Sequence, residues 1–157
     1  MGENARILVV DDDENIRRVL ATILEEEGYD VETVDTARKA TERTKRGFFN
    51  LALIDIRLPD MEGIEVLTRM KDTVPRMRKI IITGYPTLQN AVEAVNRGAD
   101  AYVLKPFDVE KILTTIKENL KSQAGEKTFN QEKVAEFIET RVRELEVERE
   151  VTHKKSP

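Results

Sequence analysis

The stretch Ile7–Arg17, ILVVDDDENIR, decides the fold. Four aliphatic residues run without a polar interruption, and three aspartates follow at once. Ile16, Val19, Leu20, Ile23 and Leu24 then recur at helical spacing until Gly28. A short continuous apolar run is the pattern of a strand buried on both faces, as in a parallel sheet. The stripe after it is that of an amphipathic helix, with Gly28 as its C-terminal stop. Working outward, the same strand–helix unit repeats. Val31–Val34 precedes a helical segment over Ala37–Arg46, and Leu51–Ile54 precedes one over Ile64–Asp72, ahead of Pro75. Ile80–Ile82 precedes Thr87–Arg97, whose Leu88, Ala91, Val92 and Val95 share a face. Ala101–Leu104 precedes Asp108–Lys121, which presents Val109, Ile112, Leu113, Ile116 and Leu120. Parallel strands require crossover helices, and right-handed crossovers place helices on both faces. The expected fold is therefore an open, doubly wound α/β sandwich.

After Lys121 the composition changes. Residues 122–130 are polar, contain Gly125 and read as a linker. From Gln131 to Val151 the pattern is helical again, with Val134, Phe137, Ile138, Arg141, Val142 and Leu145 on one face; residues 152–157 are expected to fray. The expected division is thus 1–121, a linker at 122–130, and a charged amphipathic C-terminal helix with its tail at 131–157.

Composition excludes several functions. The 157 residues contain no Cys, which removes disulfides, zinc fingers, iron–sulfur clusters and cysteine nucleophiles. The single His is His153, which argues against histidine acid–base catalysis or a histidine metal site. The net charge is −4, with no basic run, so no direct nucleic-acid contact is expected. No apolar stretch approaches the ~18–20 residues of a membrane span. Met1–Arg6 does not read as a signal peptide, so the expected location is cytoplasmic.

The chemistry-bearing residues fall at strand ends. Asp11, Asp12 and Asp13 follow the first strand, Asp55 closes the third, Thr83 closes the fourth and Lys105 follows the fifth. In such sheets ligands bind beyond the carboxyl ends of the strands, so one sheet edge gathers residues from four places in the sequence. Clustered carboxylates repel one another unless a cation neutralises them. A hard divalent ion such as Mg²⁺ suits oxygen donors of this kind. A lysine and a hydroxyl beside it complete a site for a phosphoryl group. With neither Cys nor an internal His, a carboxylate is the expected covalent nucleophile, giving an aspartyl phosphate.

ILVVDDDENIR, LALIDIRLPDMEG, KIIITGY and AYVLKPFD, in this order and spacing, resemble the signature blocks of the receiver domain of two-component response regulators, of the chemotaxis-regulator and nitrogen-regulation kind. The resemblance spans residues 5–121. It implies a flavodoxin-like five-stranded parallel sheet of order 2-1-3-4-5, here with an extra C-terminal helix. It makes Asp55 the phosphoacceptor, supplied by a sensor histidine kinase or a histidine phosphotransfer protein. Asp12 would ligate Mg²⁺ directly, Asp11 largely through water, Asp55 beside them, and the backbone carbonyl of Arg57 would complete the protein ligands. Thr83 and Lys105 would bind phosphoryl oxygens, Thr83 and Tyr102 would form the conformational switch, and Lys105–Pro106 would be cis. Asp13 falls outside the acid pair. Arg57 and Tyr85 occupy variable positions flanking the phosphoryl group, and both are large enough to hinder an attacking water.

Other readings are weaker on the residues. FMN phosphate would be repelled by DDDEN, as it would not be by a flavodoxin's Ser/Thr-rich loop. A haloacid-dehalogenase-like phosphatase uses a DxDx[TV] pattern, which Asp11 and Asp13 begin but Asn15 breaks, and it leaves Asp55 without a role. No output module is legible. The chain reads as a non-enzymatic receiver acting by protein contact, or as the receiver part of a larger transcription factor or hybrid kinase. A homodimer through the fourth helix, fifth strand and fifth helix, or through the C-terminal helix, is one expected association; docking of that helix on its own receiver is the other.

Overall fold

A computed structural model describes residues 4–70 and 72–155, with side chains of 127–140 and 148–155 left aside. The strands are β1 (Arg6–Val10), β2 (Asp30–Val34), β3 (Leu51–Asp55), β4 (Arg78–Thr83) and β5 (Ala101–Leu104). The helices are α1 (Glu14–Glu26), α2 (Ala37–Arg46), α3 (Gly63–Arg69), α4 (Leu88–Asn96) and α5 (Val109–Lys155). All strand pairs are parallel, in the order β2-β1-β3-β4-β5, as the resemblance implied.

Strand alternation builds two cores. Ile7 and Val9 of β1, Leu51 and Leu53 of β3, and Ile80 and Ile82 of β4 meet Leu20 and Leu24 of α1 and Ile112 and Ile116 of α5. Their neighbours Leu8, Val10, Ala52, Ile54 and Ile81 point the other way, against Ala37 and Ala40 of α2, Leu67 of α3 and Ala94 of α4. Both faces of the sheet are therefore dry, which is why its central strands read as unbroken apolar runs.

Helix starts follow their caps. Asp13, Thr36 and Thr87 each accept main-chain N–H groups at the first turns of α1, α2 and α4. Asp60 adds a tertiary cap: its two oxygens accept from Ala37 and Arg38 N–H at 2.9 Å each. At the base of α3, Gly63 donates to the Ile56 carbonyl at 2.8 Å, and a Cβ there would collide with the Asp55 carbonyl. The obstructing atoms are backbone, so Gly63→Ala is expected to cost about 1–3 kcal/mol of stability. A lowered urea midpoint checks this; an unchanged one shows that the segment can shift.

The polar end of the sheet departs from the sequence reading. β4 begins at Arg78, not Ile80, and Arg78 and Lys79 are both buried. Lys79 Nζ donates to the Leu67 carbonyl at 3.0 Å, and burial lowers its pKa. Asp100 accepts from Arg76 at 2.6 and 3.0 Å and from the Lys79 N–H at 2.9 Å.

The chain divides into two compact units after Gln123. Residues 122–130, expected as a linker, are helical. Gly125 is the only strong helix breaker in the segment and costs a helix only about 1 kcal/mol. Gln123, within that expected linker, is buried. It donates to the carbonyls of Asn50 and Arg76 at 2.8 Å each and accepts from the Asn50 amide at 3.2 Å. α5 extends through Lys155, past the Thr152 at which fraying was expected. Of the proposed C-terminal stripe, Val142 and Leu145 are exposed, while the side chains of Val134, Phe137 and Ile138 lie outside the described residues.

Candidate functional site

Asp11 follows β1, Asp55 ends β3, Thr83 ends β4 and Lys105 follows β5. Parallel register brings these carboxyl ends to one edge: Val10 pairs Ile54, Asp55 pairs Ile82, and Thr83 pairs Leu104. Asp11, Asp12 and Asp55 each offer a carboxylate oxygen, and these oxygens all lie within 4.8 Å of one another. Asp11 and Asp55 are buried and Asp12 is exposed.

Lys105 is the cation shared by the buried pair. Its Nζ lies 2.8 Å from Asp11 Oδ2 and 3.4 Å from Asp55 Oδ2. Burial works against the ammonium, but the bond to Asp11 and the charges of Asp11 and Asp55 outweigh it, and its pKa is raised. Asp55 receives the smaller share. Burial and the Asp11 charge raise its pKa, against the opposing pull of Lys105 and the Arg57 N–H. The Arg57 N–H donates to Asp55 Oδ1 at 3.3 Å. The Lys105–Pro106 peptide is cis, as the resemblance implied.

Thr83 is fully buried, and its Oγ1 accepts from the Tyr85 N–H at 2.9 Å. A hydroxyl that accepts still has its proton to give, so Thr83 can donate to an incoming oxygen. Arg57 and Tyr85 stack, the guanidinium carbon 3.6 Å from the ring centroid. Tyr102 pairs with Ile81 across the sheet edge, and its hydroxyl is buried with no hydrogen-bond partner among the described residues. Asp13 is not part of the cluster: it is the α1 cap, accepting from Asn15 and Ile16 N–H at 2.8 and 3.3 Å.

The donor set fits a hard divalent cation. Three carboxylate oxygens converge with one lysine to offset them, and oxygen ligation by one or two carboxylates is what Mg²⁺ uses. Two groups near this site escaped sequence reading. Arg17 donates to the Asp11 carbonyl at 2.6 Å, and Asp60 ties the segment after Asp55 to α2. Arg17 meets a main-chain carbonyl, which carries no residue-type signal, and the partners of Asp60 are remote in the chain.

A family model for the response regulator receiver domain matches residues 7–117. The transcriptional regulatory protein ZraR of Klebsiella oxytoca is 39% identical over 119 residues, covering 76% of this chain and 27% of ZraR. The regulatory protein AtoC of Escherichia coli K12 is 35% identical over 122 residues, covering 78% of this chain and 26% of AtoC. The chain thus spans about a quarter of the length of these two curated relatives. Among solved structures, a CheY-like receiver domain protein from Methanospirillum hungatei JF-1 is 48% identical with a TM-score of 0.76, covering 79% of this chain and 99% of that one. The beryllofluoride-activated NtrC4 receiver domain dimer is 40% identical with a TM-score of 0.71, covering 75% and 98%. No helix among the described residues is long and apolar enough to cross a membrane.

Proposed function

The chain belongs to the response regulator receiver domain family, and from that premise we propose that Asp55 is its phosphoacceptor, working with Mg²⁺ to switch the α4–β5–α5 surface. One observation carries this reading: Lys105 bridges Asp11 and Asp55 at the carboxyl edge of the sheet, with Asp12 alongside. A carboxylate oxygen of Asp55 attacks the phosphorus of a phosphohistidine, on a sensor kinase or phosphotransfer protein. The P–N bond breaks, the imidazole leaves, and an acyl phosphate remains on Asp55. Lys105 holds one phosphoryl oxygen by charge, and the Thr83 hydroxyl donates a hydrogen bond to another. Asp11, Asp12, Asp55 and the Arg57 carbonyl would hold Mg²⁺, which when bound neutralises the phosphoryl oxygens.

Asp12 and Asp13 separate this reading from the phosphatase-like one. Asp12→Asn is expected to lose both Mg²⁺ binding and phosphorylation, because it removes a direct ligand, whereas Asp13→Asn keeps an oxygen acceptor for the α1 cap and is expected to change little. Calorimetric Mg²⁺ titration and acetyl phosphate labelling check it. An essential Asp13 with a dispensable Asp12 would restore the DxD reading.

The phosphoryl group on Asp55 draws the Thr83 hydroxyl and frees space at the end of β4. The Tyr102 hydroxyl is supportive because a buried, unpaired hydroxyl costs about 1–3 kcal/mol, so a rearrangement that supplies an acceptor is favoured. Leu88, Val92 and Val95 of α4 and Leu104 of β5 are exposed on the responding surface. Thr83→Ala and Tyr102→Phe are both expected to bind beryllium fluoride yet to show smaller amide shifts at Leu88 and Val92 than the parent chain. Equal shifts in all three proteins would remove the Thr83–Tyr102 coupling.

A second reading, the receiver part of a larger regulator, is favoured by ZraR and AtoC, about three quarters of which lie outside the match. The length of the native reading frame decides it. Any nucleic-acid contact would then belong to the remaining part.

A further inference from the structure

We propose that Arg17 is a positioning residue for the cation site: it fixes the Asp11–Asp12 peptide and thereby aims the Asp12 carboxylate. This rests on the reading of Asp11, Asp12 and Asp55 as the Mg²⁺ site.

The argument starts from what holds each acid. Asp55 is tied by Lys105 and the Arg57 N–H. The Asp11 carboxylate is tied by Lys105 and by the Asp13 N–H, 2.9 Å from Oδ1. Asp13 is committed to the α1 cap. The Asp12 carboxylate is exposed, and no hydrogen bond or ion pair restrains it among the described residues. Its direction therefore depends on the backbone that carries it.

That backbone is clamped on both sides of Asp11. The Asp11 N–H donates to the Val34 carbonyl at 3.2 Å, anchoring it to the end of β2. The Asp11 carbonyl, which belongs to the peptide leading into Asp12, accepts from Arg17 Nη1 at 2.6 Å. Arg17 is half-buried on the first turns of α1 and is itself fixed there, its N–H bonded to the Asp13 carbonyl at 3.1 Å. A charged donor makes a shorter and stronger bond than a neutral one. The guanidinium thus opposes rotation of the Asp11–Asp12 peptide, which would swing the Asp12 carboxylate away from Asp11 and Asp55.

Partners that orient metal ligands typically carry about 10–100-fold in affinity. Arg17 acts through the main chain, so the low end applies. In the metal-free 157-residue chain titrated with Mg²⁺ by calorimetry, Arg17→Gln is expected to raise the dissociation constant about tenfold. Arg17→Lys, which keeps a charge and one donor but loses the fork, is expected to raise it about threefold. The Mg²⁺ concentration giving half-maximal acetyl phosphate labelling should rise by the same factors. Melting temperatures in chelator separate this role from that of a simple staple between α1 and β1. A lowered melting temperature with wild-type Mg²⁺ affinity in either folded variant overturns the proposal. Should Arg17→Gln fail to fold, Arg17→Lys decides by the same criterion. A parent chain that binds no Mg²⁺ overturns the metal reading, and this proposal with it.

Discussion

Asp55→Asn is expected to abolish labelling by acetyl phosphate and Mg²⁺ while leaving the protein folded. The parent chain should take up one labile phosphoryl group, read as a single mass increment that is lost on mild alkaline treatment. The amide oxygen of Asn is a poor nucleophile and cannot form a stable acyl phosphate, so the loss is complete rather than partial. The same substitution should raise stability in the absence of metal. Burial and the Asp11 charge place the folded pKa of Asp55 above its unfolded value. An acid shifted in that direction costs stability at pH above the folded value, and the cost vanishes below the unfolded one. Asn removes it at neutral pH, and Mg²⁺ should then stabilise the parent chain but not the variant. Phosphorylation persisting at Asp11 or Asp13 in Asp55→Asn would overturn the assignment. In the same assay, Tyr85→Ala should shorten the phosphoryl lifetime of the parent chain if the Arg57–Tyr85 stack screens the acyl phosphate from water.

The second large effect lies at the opposite end of the sheet. Asp100 carries a bidentate pair with Arg76, approaches Arg78 at 3.4 Å and accepts the Lys79 N–H. Its side chain is 13% exposed and that of Arg78 is 10% exposed. Asp100→Ala removes the acid from among these cations and leaves a main-chain donor of β4 without its acceptor. Breaking a buried pair from one side costs about 3–5 kcal/mol, and the low end applies because Arg76 stays partly in water. That corresponds to a fall of roughly 10 °C in melting temperature for a domain of this size. Burial opposes ionisation of Asp100, but the bonds from Arg76 and the Lys79 N–H, with the Arg76 and Arg78 charges, outweigh it and lower its pKa. A depressed acid contributes stability above its unfolded pKa and loses it as pH falls through the folded one. The stability gap between the parent chain and Asp100→Asn should therefore be constant at neutral pH and shrink below about pH 4. Asp55 shifts the other way over the same acidic range, so the difference between the two proteins is the quantity to follow. A gap that does not change on acidification would show that the Asp100 charge contributes nothing.

The sequence by itself determined the sheet, its parallel sense and the gathering of Asp11, Asp55, Thr83 and Lys105 at one edge. Burial on two faces demands unbroken apolar runs, and those runs mark where each strand ends. Once strands are parallel, residues just past their ends must converge, however far apart they lie in sequence. Strand order and the roles of Arg57 and Tyr102 came from resemblance, not from pattern. Tertiary structure alone decided the polar partnerships. Arg78 and Lys79 start a central strand despite their charge, because Asp100 and the Leu67 carbonyl are there to receive them. Gln123 left the expected linker for the core because Asn50 and Arg76 offer it carbonyls. Lys105 favours Asp11 over Asp55, and Arg17 reaches the Asp11 carbonyl. Apolar burial is non-directional, so hydrophobic spacing along the chain is enough to announce it. A hydrogen bond or ion pair depends on two atoms meeting at a fixed distance and angle, and many of the partners here are main-chain groups that every residue carries alike. No residue type signals that meeting; only the folded backbone brings it about.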